Sequence, residues 1–288
     1  MANPAAQTAI GPMVIVAFDQ YDPHPLVRDD LAARLLPGAT RGLVGLARWR
    51  PVRRAVAAMT EKQVPGLWAS ILCRKRYADD VVRLAVADGV TAAVILGAGM
   101  DTRAYRLPEL AGLPVFEVDL PANVERKRAL LTGVYGAPPA HVTLVPVDFD
   151  TEDPAARLAA AGYDPARPTV FVWEAVTQYL TDAGVRATLA FLAAAPAGSH
   201  LVFTHIRQDF LDGTDRYGAD VAYRRFVTDS HLWRFGLDPA EVPGLLAGYG
   251  WRQVEQAGPA ELTARYLEPA GRPLPVTEIE RSVHARKD

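Results

Sequence analysis

The sequence predicts an α/β protein with a mostly parallel sheet covered by helices on both faces, and three observations carry that expectation. Short apolar runs rich in β-branched residues recur from about residue 90, at Ala92–Leu96, Pro114–Val118, Val142–Val147, Thr169–Trp173 and Ser199–Thr204. Helical patterns separate these runs, and such alternation implies βαβ units and a parallel sheet. The runs end on Gly97-Ala98-Gly99, Asp119, Asp148, Glu174 and His205. Open α/β sheets bind ligands at the carboxyl ends of their strands, so these residues point to one crevice.

The flanks read differently. Residues 21–88 read as helices, and in Ala78–Ala87 (ADDVVRLAVA) the apolar Val81, Val82, Ala85 and Val86 share one face. Residues 206–248 read as helical again, interrupted by Pro239, Pro243 and Gly244. Trp251–Glu255 and Ala264–Leu267 are expected to close the sheet as a hairpin-like edge, for seven strands in all. No repeat or linker divides the chain, so one domain is expected, with the helical flanks over the strand ends.

Composition narrows the function classes. The 288 residues include 31 Lys+Arg against 33 Asp+Glu, for a net charge of −2. That balance gives no overall attraction to phosphate backbones, although a local basic patch can survive the average. The single cysteine, Cys73, excludes an internal disulfide and a cysteine-cluster zinc site. Six scattered histidines show no metal-ligand spacing, and no metal is expected. No apolar stretch reaches the ~18 residues that span a bilayer. The first basic residue is Arg28, so no signal peptide is expected. The expectation is a soluble cytoplasmic protein, a monomer or homodimer, with neither nucleic acid nor membrane as partner.

Leu96–Leu107 (LGAGMDTRAYRL) follows a strand and opens a helical pattern, the context in which a Gly-x-Gly turn matters. Gly97 permits a tight turn, and Gly99 lets the backbone approach a ligand. A dinucleotide fingerprint needs a third glycine at position 102, where this chain has Thr102. That substitution favours a nucleoside without a pyrophosphate. Asp119 lies 22 residues past Gly97, close to the ~20-residue spacing that places an acid on ribose hydroxyls. It could equally cap the helix beginning at Leu120-Pro121; taken with the glycine loop, the ribose reading leads. Asp148 can accept from an exocyclic adenine amino group while Phe149 covers the base, or the two form a capped loop with a buried ring. Glu174, at a buried strand end, needs a positive partner, either a ligand cation or a structural arginine.

Together these segments resemble the class I S-adenosylmethionine-dependent methyltransferases, and more narrowly the leucine carboxyl methyltransferase superfamily. The resemblance rests on the LGAG-D-T loop at Leu96–Thr102, the E-V-D-x-P strand end at Glu117–Pro121 and the E-x-x-x-x-Y-L segment at Glu174–Leu180. A bacterial branch containing tetracenomycin C-type polyketide carboxyl methyltransferases is similar also in Gly11-Pro12-Met13, Cys73–Asp80, Arg265-Tyr266 and Pro269-x-Gly271-Arg272. The resemblance implies a Rossmann-like fold in one methyltransferase domain over 1–288. Its parts are a helical cap (1–88), a cofactor-binding core (89–205), a helical lid (206–248) and closing strands with a tail (249–288). It implies S-adenosylmethionine as cofactor, approached by Gly97 and Gly99. Arg74, or the nearby Arg76, would hold the cofactor carboxylate, Asp119 the ribose, Asp148 and Phe149 the adenine, and Glu174 the cationic methionine end.

The acceptor is read from chemistry. A carboxylic acid with pKa near ~4 is already a nucleophile at neutral pH, whereas a phenol with pKa ~10 needs a base. Methyltransferases of planar amino groups commonly carry Asn/Asp-Pro-Pro-aromatic after the fourth strand; here Trp173-Glu174-Ala175-Val176 stands instead. The insertion interleaves arginines with aromatics, among them Arg207, Tyr217 and Tyr223, which suits a flat anionic acid such as a polyketide. Five aspartates in the same stretch make an ion-paired surface the plainer reading. His205, at the fifth strand end, is either a base for a hydroxyl acceptor or a satisfied core histidine. The expected activity is O-methylation of a small molecule, more narrowly a carboxylate of a secondary metabolite or a peptide C-terminus. The alternatives are hydroxyl methylation assisted by His205, a non-catalytic cofactor binder and an NAD-type oxidoreductase.

Overall fold

The structure is a computed structural model that describes residues 10–149 and 151–288. Its sheet comprises β1 (Ala92–Leu96), β2 (Val115–Asp119), β3 (Val142–Pro146), β4 (Thr169–Trp173), β5 (His200–Ile206), β6 (Arg252–Ala257) and β7 (Glu280–Arg286), in the order β3-β2-β1-β4-β5-β7-β6. The first five strands are parallel, and β7 runs antiparallel to both β5 and β6. Strand order reverses between β1 and β4, which is the switch point where open α/β sheets form their crevice. β1, β2, β4 and β5 are buried along their whole length, so they read as mainly apolar runs rather than alternating ones. Buried Glu117 in β2 and His200, Thr204 and His205 in β5 are among the exceptions. Alternate residues serve opposite layers: Ala93, Ile95, Val170 and Val172 face one cluster, Val94, Leu96, Phe171 and Trp173 the other.

The helices are α1 (Ile10–Asp19), α2 (Gly38–Gly45), α3 (Arg50–Gln63), α4 (Leu67–Ala87), α5 (Pro121–Tyr135), α6 (Pro154–Ala160), α7 (Asp182–Ala193) and α8 (Val242–Gly248). Local chemistry sets their limits. α5 begins with proline in its first turn and stops at Gly136, whose φ is +82°. The Asp153 side chain caps α6 by accepting from the Ala155 N–H, and Thr181 caps α7 through the Gly184 N–H. α4 buries Val81, Val82 and Ala85 as its spacing predicts, and also Arg74, Lys75 and Asp79, which the apolar period does not explain.

Three expectations are corrected. Residues 21–37 are turns rather than helix, knitted by the Asp29 carboxylate accepting from the Leu31 and Ala32 N–H groups; residues 1–9 of the expected cap lie outside the described residues. The closing strand is β7, not Ala264–Leu267, which winds into wide helical turns. β7 escaped notice because a central strand reading Glu-Arg-Ser-Val-His-Ala-Arg has no apolar period; its His284 is buried against His200 instead. The expected lid is helical only at Gln208–Leu211, Asp220–Asp229 and α8. Residues 230–241 run without regular structure, tied down by Arg234 N–H to the Gln178 carbonyl and Leu237 N–H to that of Ile206. No helix of the described residues is long and apolar enough to cross a membrane.

Candidate active site

A cavity of about 430 Å³ opens at the carboxyl ends of β1 to β4, within the ~300–1,000 Å³ usual for small-molecule sites. The glycine loop forms one wall. Gly97 has φ +65°, and a Cβ there would stand 2.3 Å from Val176 Cγ2, so only glycine fits. Gly99, at φ +42°, turns its N–H onto an Asp119 carboxylate oxygen. The other oxygen accepts from the Leu120 N–H and from Asn123 Nδ2, each at 2.7 Å. α5 has no side-chain cap, so Asp119 is not simply its cap residue; it ties the loop to β2 beside the cavity. Thr102, where a dinucleotide fold would have glycine, is buried and donates to Asp29 at 2.5 Å. Past Glu174, Ala175 adopts φ +59°, a strained conformation held by its N–H bond to Thr204 Oγ1.

Beneath the loop lies a buried ion network. Arg103 is fully buried and pairs with Asp79, Asp101 and Glu174, the last at 2.7 Å. Arg74 pairs with Glu174 at 3.0 Å and with Glu280 at 2.7 Å, and Lys75 Nζ stands 3.6 Å from Glu174. Burial alone would raise the Glu174 pKa; Lys75, Arg103 and Arg74 outweigh it and hold the carboxyl well below its usual range. Burial also disfavours the charged form of Arg74, but Glu280 and Glu174 reverse that effect and keep the guanidinium protonated. Glu174 thus has its counter-charges from the protein, and the structural-arginine reading describes its surroundings.

Arg74, Gly97, Gly99, Asp119, Asp148, Phe149 and Glu174 all line the cavity. Arg76 does not; it pairs with Asp80 at 3.1 Å and donates to the Leu26 carbonyl. His205 is displaced from its expected place. Its ring is fully buried, with Nε2 3.0 Å from Gln256 Oε1 and Nδ1 3.1 Å from the Ile206 carbonyl. Burial lowers its pKa and favours the neutral ring, so it is a satisfied core histidine rather than a base in the crevice. Arg207, Tyr217 and Tyr223 also stand apart from the cavity. Arg207 pairs with Asp209 and covers the Tyr217 ring at 5.2 Å, while Tyr217 donates to Asp209. Tyr223 packs edge-on against Phe210 and beneath Arg216.

The insertion contributes His231, Leu232 and Arg234 instead, and α1 contributes Pro12 and Met13. Lys75, Asp101 and Asn123 complete the polar lining that was not read from the sequence. Asn123 was recoverable, since position i+4 from Asp119 falls on the same side of a helix start. Nothing local marks His231, which reaches the cavity from irregular backbone at φ +48°. Among the described residues, no group of three or more His, Cys, Asp or Glu side chains is arranged to hold a metal ion.

Comparison with known proteins gives the family and the fold. Residues 9–193 match the family described as leucine carboxyl methyltransferase. A Frankia alni protein named as a candidate S-adenosyl-L-methionine-dependent methyltransferase is 34% identical over 268 residues, covering 93% of this chain and 87% of that one. A Streptomyces avermitilis protein with the same kind of name is 33% identical over 92% of this chain and 89% of its own. The fold resembles that of a crystal structure of a candidate methyltransferase from Thermobifida fusca, with a TM-score of 0.58, 20% identity and coverage of 82% and 88%.

Proposed function

The chain belongs to the leucine carboxyl methyltransferase family, and on that premise we propose that it methylates a small-molecule carboxylate with S-adenosylmethionine as donor. The supporting observation is the crevice at the strand switch point, where the Gly99 N–H and the Asp119 carboxylate meet. The residues present fit the cofactor: a glycine cradle that a Cβ would fill, an acid at the end of β2, and an aromatic ring beside an acid after β3. Asp119 would accept from ribose hydroxyls and Asp148 from the adenine amino group, and Phe149 would cover the base. Arg74 would hold the cofactor carboxylate, its Nη2 having no partner among the described residues. Glu174 acts through others, fixing Arg74, Lys75 and Arg103 in place.

When bound, the cofactor would supply an electrophilic methyl group on a sulfonium, whose S–CH3 bond would break to leave a neutral thioether as the ester O–CH3 bond forms. The walls supply alignment and exclusion of water, worth ~7–11 kcal/mol in well-oriented reactions. Met13, Val176, Leu180 and Leu232 furnish apolar wall, and Tyr179, His231 and Arg234 the polar remainder. A carboxylate acceptor suits this site because it needs no base, and His205 is sealed away from it.

Turnover with a panel of aromatic acids and phenols tests the reading. The expected product is an ester cleaved by mild alkali, formed at a rate nearly flat from about pH 6 to 9. His231→Ala changes that rate only a few-fold. An alkali-resistant ether, with a rate that climbs with pH and drops ~100-fold in His231→Ala, would replace the carboxylate by a hydroxyl acceptor.

A further inference from the structure

Segment 38–63 is unlike the rest of the chain. It carries Arg41, Arg48, Arg50, Arg53, Arg54 and Lys62 against one acid, Glu61, in a protein of net charge −2. Glu61 accepts from the Gly66 and Trp68 N–H groups at the helix junction. α3 has no fully buried residue, although Val56 and Ala57 lean on the core. Among its cations stand exposed apolar side chains: Leu43, Leu46, Met59 and Trp49, the last 55% exposed. Arg48 lies over the Trp49 ring at 5.4 Å.

A second cavity, of about 290 Å³, lies at this surface, lined by Arg50, Arg53, Arg54 and Arg272 together with Phe18 and Trp68. Its two acids are engaged: Asp19 pairs with Arg272 at 2.6 Å, and Asp22 accepts from the His24 N–H. Arg53 donates to the Ala47 and Arg48 carbonyls, whereas Arg50 and Arg54 have no partner among the described residues.

A basic patch alone attracts any polyanion. Exposed tryptophan and leucine interleaved with arginines add a second demand, that of a partner with an apolar layer under an anionic one. The exposed apolar side chains lie mostly on and after α2, beside the cations of α3. Apolar side chains so placed suit the headgroup boundary of a bilayer, where each nearby Lys or Arg strengthens attachment to an anionic leaflet about fivefold. We infer that segment 38–63 docks the protein reversibly on an anionic phospholipid surface, with Leu46 and Trp49 in the headgroup boundary and a lipid phosphate in the arginine cavity. Surface docking departs from the expectation of no membrane partner, which rested on the lack of an apolar stretch long enough to span a bilayer. α1 links the surface to the crevice, since Phe18 and Asp19 line the basic cavity while Pro12 and Met13 line the cavity at the strand ends.

Co-sedimentation of the full chain with vesicles tests the inference independently of methyl transfer. The expected result is binding to phosphatidylcholine vesicles containing one-third phosphatidylglycerol, none to pure phosphatidylcholine, and release by half-molar salt. Arg50→Glu with Arg54→Glu lowers binding at least about tenfold, and brominated lipid quenches fluorescence in the parent chain but not in Trp49→Phe. Absence of sedimentation with the anionic vesicles, or unchanged binding by the double variant, would overturn it. So would poly-glutamate bound as tightly as the vesicles, which would assign the patch to an acidic protein. Full displacement of the vesicles by soluble glycerol phosphate would assign the cavity to a free phosphate ligand and likewise overturn the bilayer.

Discussion

The crevice at the ends of β1 to β4 and the insertion after β5 are both rich in arginine, carboxylate and aromatic side chains, yet they use them oppositely. In the crevice the charges are buried and shared: fully buried Arg103 serves three carboxylates, and Glu174 is met by three cations. In the insertion they pair locally and face water, as in Arg207 with Asp209 and Arg216 with Asp220. Buried charges must be compensated because desolvation is costly, so each member of the first set constrains the others. Exposed pairs contribute little, and nothing in the second set fixes a ligand geometry. The same residue types therefore build a site in one place and a surface in the other.

The largest expected effect lies in the crevice. Arg103→Met leaves Asp79, Asp101 and Glu174 short of positive charge and should destabilise the fold by about 3–5 kcal/mol in chemical denaturation. A loss under about 1 kcal/mol would erase the contrast between the two regions. Away from the crevice, at the amino-terminal end of β5 where it meets β7, His200 Nδ1 and His284 Nε2 stand 3.0 Å apart. Burial, and then the neighbouring His200, push His284 down to about 4. Because the folded pKa is below the unfolded value near ~6.5, the unfolded chain binds more protons in that interval, and stability is lost as pH falls from about 6.5 towards 4. The loss reaches up to about 3 kcal/mol and should flatten in His284→Asn, as read from denaturation midpoints across pH.

Asp119→Ala comes next, with an expected loss of ~1.5–3 kcal/mol in S-adenosylmethionine binding, at least tenfold by calorimetry, and an intact fold. Unchanged affinity would return Asp119 to a purely structural part in holding the glycine loop. The smallest effect belongs to the insertion: Arg207→Ala should change stability by less than about 1 kcal/mol and leave cofactor affinity where it was. A tenfold loss of affinity there would show that the paired part of the insertion, and not only its His231, Leu232 and Arg234, bears on the ligand, and would erase the contrast.

Legibility follows the same divide. The five parallel strands, the glycine loop, Asp119, and Asp148 with Phe149 are matters of local sequence, because apolar runs and turn residues within a few positions decide where a strand ends and what stands there. Arg74 was placed by resemblance, and the structure puts it on the cavity wall. The partners of Glu174 are another matter, since Arg74 is 100 residues away and Arg103 is 71. His205 turned on which layer covers the end of β5; Gln256, 51 residues downstream on β6, sequesters it. β7 became a central strand through its neighbours rather than any period of its own. The chain alone thus determined where polar groups emerge from the sheet, because backbone period and turn chemistry are short-range. Only the tertiary structure decided which of those groups are compensated, sealed or open to a ligand, because burial and charge pairing are set by segments far apart in sequence.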